Sequence, residues 1–244
     1  MKWIKTIREK LYLAKQWLFS IFAYPPLRWR GSDYDQYWHH RKLTARTPLN
    51  SFQKKRADLA LKYIKEGSSM LDIGAGNGMV LLHINSSRKL VKMIGADISK
   101  DALEMMKENG IQTIEVDISN IEHANIPPVD YILMFELIEH IPNSEELLNW
   151  AVSSAAKGVL FSVPNTGFLF DRLRLLFGRF PLQWRLKPSE HIRFWTRTDM
   201  KWWLKEMGYR SYELHTYKGV TFLNKIFPGL FSEGLFVYIP KHND

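Results

Sequence analysis

The chain has 244 residues, 45% of them hydrophobic, and a formal net charge of +9 at neutral pH. That length suits one α/β domain with additions and can bury a sizeable core. It has no cysteine, which excludes disulfides, thiolate nucleophiles, cysteine zinc sites and iron–sulfur clusters.

Residues 1–56 carry thirteen lysines and arginines against three acids. Within them Trp3, Ile4, Ile7, Leu11, Ala14, Trp17, Leu18, Ile21 and Phe22 recur at helical spacing. Lys2, Lys5, Arg8, Lys10 and Lys15 share that segment. A basic amphipathic helix with aromatics suits an anionic membrane interface, and equally suits packing on a domain. Charges interrupt the segment and no small-residue cleavage site follows, so it does not read as a secretory signal. No apolar run reaches the ~20 residues that span a bilayer. The expected location is cytoplasmic, with peripheral contact at the inner face of a membrane.

Residues 57–244 read as the main domain. Met70 to Ile73 is an apolar run that ends in Gly74-Ala75-Gly76-Asn77-Gly78, and Val80, Leu81, Leu82 and Ile84 then recur helically. This is a strand, a tight loop and a helix start. Glycines let the backbone turn sharply and let a ligand approach closely. Free N–H groups at the helix start can meet polar ligand atoms. Asp72 sits near the carboxyl end of the strand, where open α/β sheets place ligands. A dinucleotide fingerprint starting at Gly74 would need glycine at 79, where this chain has Met79.

Strand 2, Val91 to Ile98, carries Asp97, which lies 21 residues after Gly76. An acid at that distance can accept hydrogen bonds from two ribose hydroxyls. A helix over 101–109 is stopped by Asn109-Gly110. Strand 3, Gln112 to Ile118, carries Asp117. Strand 4, Val129 to Phe135, runs into Glu136-Leu137-Ile138-Glu139-His140. A helix over 143–156 precedes strand 5, Lys157 to Asn165. A helix over 198–207 follows, and Leu235 to Ile239 is the expected strand 7. Residues 57–164 carry eight basic groups against fifteen acids, and residues 165–218 eleven against five. The core is thus acidic and its later flank basic, which favours an anionic substrate or surface.

The Asp-x-Gly-x-Gly-x-Gly loop resembles motif I of the class I S-adenosylmethionine (SAM) methyltransferases. Glu136-x-x-Glu139-His140 resembles their motif IV. The resemblance implies an α/β fold: a Rossmann-like seven-stranded sheet with helices on both faces, here with an N-terminal helical extension and a helical lid after strand 5. It implies a SAM site formed by Asp72, Gly74, Ala75, Gly76, Asn77, Gly78, Asp97, Ile98, Asp117, Ile118, Phe135 and Glu136, with Asp117 holding the adenine amino group. Ala75 stands where the family often has cysteine, a small-for-small change. From Ser162-Val163-Pro164-Asn165 through the Arg172–Arg179 segment to Glu190-His191, the chain is similar to the MetW-like branch. The resemblance covers about residues 68 to 218.

Methyl transfer is an in-line displacement, helped by alignment and, for a hydroxyl acceptor, by proton removal. His140 is the candidate base, Glu139 lies beside it, and His191 is a second candidate. A Glu/His cluster of Glu136, Glu139 and His140 could also bind a divalent metal, but without a third ligand in view beside Glu139 and His140 the signal is weak and no metal site is expected. Phe168, Leu169, Phe170, Leu173, Leu175, Leu176, Phe177, Phe180, Leu182 and Trp184, interleaved with Arg172, Arg174, Arg179 and Arg185, form the expected lid over about 166–195. Such a lid would suit a small or lipid-linked anionic acceptor. Nucleic acid is disfavoured, because the basic residues are mixed with bulky aliphatics instead of tracking a phosphate backbone. The alternatives are a non-catalytic SAM-binding partner of the MetW type and, more remotely, a nicotinamide-dependent oxidoreductase.

Overall fold

The computed structural model describes residues 44–181 and 191–241, together with Leu11, Tyr12, Ala14, Lys15, Leu18, Phe19, Ile21 and Phe22, which are helical. The expected roles of Trp3, Ile4, Ile7 and Trp17, and of Leu182, Trp184 and Arg185 in the lid, lie outside the described residues.

Seven strands form one sheet: β1 (Ser69–Ile73), β2 (Lys92–Asp97), β3 (Gln112–Glu115), β4 (Val129–Phe135), β5 (Ala155–Pro164), β6 (Glu213–Tyr217) and β7 (Gly234–Pro240). Their order is β3-β2-β1-β4-β5-β7-β6. Strand β7 is antiparallel to both β5 and β6; the β1–β2, β2–β3, β1–β4 and β4–β5 pairs are parallel. This is the expected Rossmann-like methyltransferase sheet. The strand order reverses between β1 and β4, the switch point where such sheets bind ligands.

Alternation along the strands builds a core on each face. Leu71, Ile73, Ile132, Met134, Val159, Phe161 and Val237 point to one face, which is packed by helices α4 (Ser144–Ser154) and α6 (Arg197–Glu206). Met70, Tyr131, Leu133, Phe135, Leu160 and Phe236 point to the other. That face is covered by α1 (Ser51–Ala60), α2 (Met79–Arg88) and α3 (Lys100–Glu108). Strands buried on both faces read as nearly continuous apolar runs, which is why β4 and β5 stand out in the sequence. Between β5 and α6 lies α5 (Leu169–Leu176), and between β6 and β7 lie the short α7 (Leu223–Ile226) and α8 (Pro228–Phe231).

Three local readings need correction. Helix α1 has no counterpart among the expected elements. Its start is fixed by a capping box: Asn50 accepts from the N–H groups of Phe52 and Gln53, and Gln53 accepts from Asn50 N. Strand β3 stops at Glu115, so Asp117 does not end a strand. Asp117 instead takes the N–H and hydroxyl of Ser119, closing a turn that pulls the chain out of the sheet. The helix expected over 143–156 ends at Ser154, and Ala155 already pairs with Val129 of β4.

Candidate active site

The glycine loop leaves β1 with Gly74, Gly76 and Gly78 at φ values of 71°, 59° and 73°. These left-handed conformations are cheap only without a Cβ. Asp97, at the end of β2, braces the loop: one carboxylate oxygen accepts from Gly76 N at 3.1 Å and the other from Ser99 N at 3.0 Å. Below the loop Asp72 is 3% exposed. Burial, then the nearby charge of Asp97, pushes its pKa up to about 8, with Arg56 opposing.

A cavity of about 670 Å³ opens at the carboxyl ends of β1–β4. It brings together Asp72, Gly74, Ala75, Gly76, Asn77, Asp97, Ile98, Asp117, Ile118, Phe135, Glu136, Glu139, His140 and His191. Of the expected site residues only Gly78 is absent from the lining; it is the left-handed N-cap of α2. The side chain of Asn77 points to the scaffold, donating to the carbonyls of Thr44 and Thr47, both at 3.1 Å. Apolar Ile98, Ile118 and Phe135 with polar edges suit a nucleoside, and the volume is that of an ordinary small-molecule site. Among the described residues of the expected lid, His191 lines this space and no residue of α5 does.

Sequence reasoning missed Arg56. It reaches the cavity from α1, 8% exposed, beside Asn50 and Gln53. Its Nη1 donates to the hydroxyl of Tyr217 at 3.3 Å and lies 3.4 Å from Glu136 Oε1. The same carboxylate oxygen accepts from Tyr217 at 3.1 Å and from the Ser162 hydroxyl at 3.0 Å. Glu136 holds this position with φ at 54°, a rare conformation for a residue with a side chain. One guanidinium thus faces three carboxyls, those of Asp72, Glu136 and Glu139. The Asn50–Gln53 capping box was the available sequence signal for the helix that delivers it.

Glu139 and His140 belong to a short 3₁₀ turn, Ile138–His140, just past β4. Glu139 is 1% exposed, and neither carboxylate oxygen has a hydrogen-bond partner among the described residues. Burial first, and the charge of Glu136 second, hold its pKa well above the usual carboxylate range. His140 Nε2 stands 3.9 Å from Glu139 Oε1, and the rings of His140 and His191 meet edge to face at 4.6 Å. One potential ligand atom from each of Glu139, His140 and His191 lies within 4.8 Å of the others. The expectation of no metal site rested on two residues; the fold supplies the third, from a loop distant in sequence. Two imidazoles and a carboxylate are an ordinary ligand set for a divalent cation.

A family model described as a methyltransferase domain matches residues 37–214. Its match begins well before residue 68, and so takes in part of the basic extension. The chain is 26% identical over 159 residues to a bifunctional methionine biosynthesis protein, MetXA/MetW, of Rhodopirellula baltica, covering 58% of this chain and 25% of that protein. It is 31% identical over 111 residues to a ubiquinone biosynthesis O-methyltransferase of Azoarcus, covering 42% and 46%. The chain therefore spans less than half the length of these relatives. In fold it resembles a SAM-dependent methyltransferase from Archaeoglobus fulgidus, with a TM-score of 0.60 and 17% identity over 86% of this chain and 100% of that one.

Proposed function

The chain belongs to the methyltransferase-domain family of SAM-dependent enzymes, and we propose that it methylates a hydroxyl of a small or lipid-linked anionic acceptor, working from the cytoplasmic side of a membrane. This replaces the nicotinamide alternative. One observation carries the reading: two histidines and a buried carboxyl converge at the cavity, where an incoming hydroxyl must lose its proton. SAM, when bound, supplies an electrophilic methyl for in-line attack.

The protein's own residues do the rest. The Gly74–Gly78 backbone and the Asp97 carboxylate hold the cofactor, with Asp117 at the adenine end. Arg56 offers a buried cation beside Glu136 for a carboxylate group. His140 takes the acceptor's hydroxyl proton, a role suited to a neutral imidazole. His191, packed on its edge, fixes the ring's orientation. A second reading is favoured by the three-residue cluster. A divalent cation held by Glu139, His140 and His191 would displace the proton of Glu139 and supply Lewis acidity to a bound hydroxyl.

The test is product formation. Purified protein is incubated with SAM and a panel of phenolic quinone precursors, lipid-linked sugars and homoserine-pathway metabolites, and products are identified by mass spectrometry. A methylated hydroxyl is expected. Loss with EDTA and return with magnesium or zinc selects the metal reading. Tight SAM binding with no turnover of any acceptor would overturn both and favour the partner role of the MetW type.

A further inference from the structure

Several of the large apolar side chains left in water lie on segments that leave one rim of the sheet, with Trp202 of α6 and Val91 exposed elsewhere. β5 and β6 are both antiparallel to β7, so their carboxyl ends share the rim on which the cavity opens. The segments leaving those ends carry exposed Leu176 and Phe177 after β5, and Phe222 and Phe227 after β6. Immediately before a strand, the exposed large hydrophobic among the described residues is Val91.

The N-terminal helix joins this rim. Buried Arg174 of α5 donates to the carbonyl of Ile21 at 3.3 Å, and Arg179 donates to the carbonyl of Phe22. The Phe22 ring meets Phe177 at 5.2 Å. Ile21 is turned inward, while Leu18 and Phe22 remain exposed. So packing on the domain and facing outward are not alternatives here: one face of the helix does each. The β5 exit and the β6–β7 connection are also tied at their roots, because the buried Asn165 amide donates to the carbonyls of Gly229 and Ser232 at 3.0 and 2.7 Å.

Charge identifies what covers the rim. Residues 1–30 carry seven bases against one acid, and Arg172, Arg179 and Lys225 stand on the two segments beside the exposed groups, while Arg174 is buried and Lys218 lies over the Phe52 ring. Exposed apolar groups framed by cations fit an anionic lipid surface, which takes the first into its acyl boundary and pairs the second with headgroups. We infer that the N-terminal helix, α5 and the β6–β7 connection form one docking surface for an anionic bilayer, which turns the cavity mouth toward the lipid. This deepens the lipid-linked reading of the acceptor and rests on it for its role. Bilayer binding itself can be measured without any acceptor.

The full chain is cosedimented with vesicles of phosphatidylcholine alone or mixed with phosphatidylglycerol, at low and high salt. SAM binding is followed by calorimetry on the same samples. Binding is expected only with phosphatidylglycerol and should weaken as salt rises. Leu176→Glu and the pair Phe222→Glu/Phe227→Glu should each weaken it about tenfold, with SAM affinity and thermal midpoint unchanged. Equal binding to neutral vesicles, or no binding to either, would overturn the inference. So would a concentration-dependent dimer dissolved by these variants, which would make the rim a contact between two copies. Failure of SAM binding would instead sink the methyltransferase reading and leave the vesicle result standing.

Discussion

The main-chain carbonyl of Glu139 accepts hydrogen bonds from the N–H groups of Ile192 at 3.0 Å and Arg193 at 3.1 Å. This joint fastens the loop after the undescribed stretch 182–190 to the turn after β4, and so sets the ring of His191 against His140. Arg193 reinforces it by donating to the Pro142 carbonyl at 2.8 Å and pairing with Glu145. The two candidate proton-handling groups therefore share one rigid corner of the cavity.

His140→Ala should lower turnover by about 10²–10⁴-fold if it is the base, with SAM affinity near wild type. His191→Ala should cost less in turnover, since its ring acts through His140. Steady-state kinetics alongside calorimetry separate the two effects. If a cation is held by the cluster, Glu139→Gln should be as damaging as His140→Ala, because a neutral amide is a poor ligand. Equal activity in all three variants would leave catalysis to positioning alone.

Asp97→Ala should weaken SAM binding by about 1–3 kcal/mol, measured by calorimetry. The carboxylate has two tasks: accepting from the ribose and from Gly76 N. Gly76→Val should be worse, because a β-branched residue at φ of 59° is strained before any ligand arrives. Wild-type affinity in the Asp97 variant would remove the loop–acid pair as the cofactor site.

The central sheet and most of the cofactor pocket were legible because their signals are local. Leu71 and Ile73 alternate with Met70 and Asp72, the glycines follow at once, and Asp97 falls at its distance in an uninterrupted βαβ unit. Asp117 was found, but its strand was overextended because an acid that closes its own turn looks locally like a strand end. Arg56 was not found, since its partners Glu136 and Tyr217 are distant in sequence and its helix was read for charge, not for its cap. The Arg172–Arg179 segment was legible as an amphipathic helix, but not what its apolar side meets. Its amphipathic pattern is real, yet it is satisfied by the N-terminal helix and the outer rim, a choice that periodicity cannot make.

Arg56→Met should destabilise the fold by about 1–3 kcal/mol in urea denaturation, because the half-exposed Glu136 carboxylate and the Tyr217 hydroxyl would both lose their cationic partner. Arg56→Met/Glu136→Gln should recover part of that loss. The two sites touch, so their effects should not add. A double variant as unstable as the sum of the singles would mean that the ion pair contributes nothing and that Arg56 serves packing alone.

The apo protein should lose stability as pH rises from about 5 to 8. Asp72 keeps its proton in the fold to a pKa of about 8 and would lose it near 4 when unfolded. Between those values the native state binds the extra proton, so each step up in pH favours the unfolded chain. The slope is at most about 1.4 kcal/mol per pH unit for one such group. Glu139 is shifted the same way, by burial and by Glu136, and adds to the trend. Asp130 and Glu145 are shifted downward, so their contributions are complete throughout this window and fade only in acid. Thermal melts across the range should therefore show a midpoint that falls with pH, and Asp72→Asn should flatten the dependence. A midpoint that rises from pH 5 to 8 in the wild type would mean that Asp72 and Glu139 are ionised in the fold, with Arg56 compensating both.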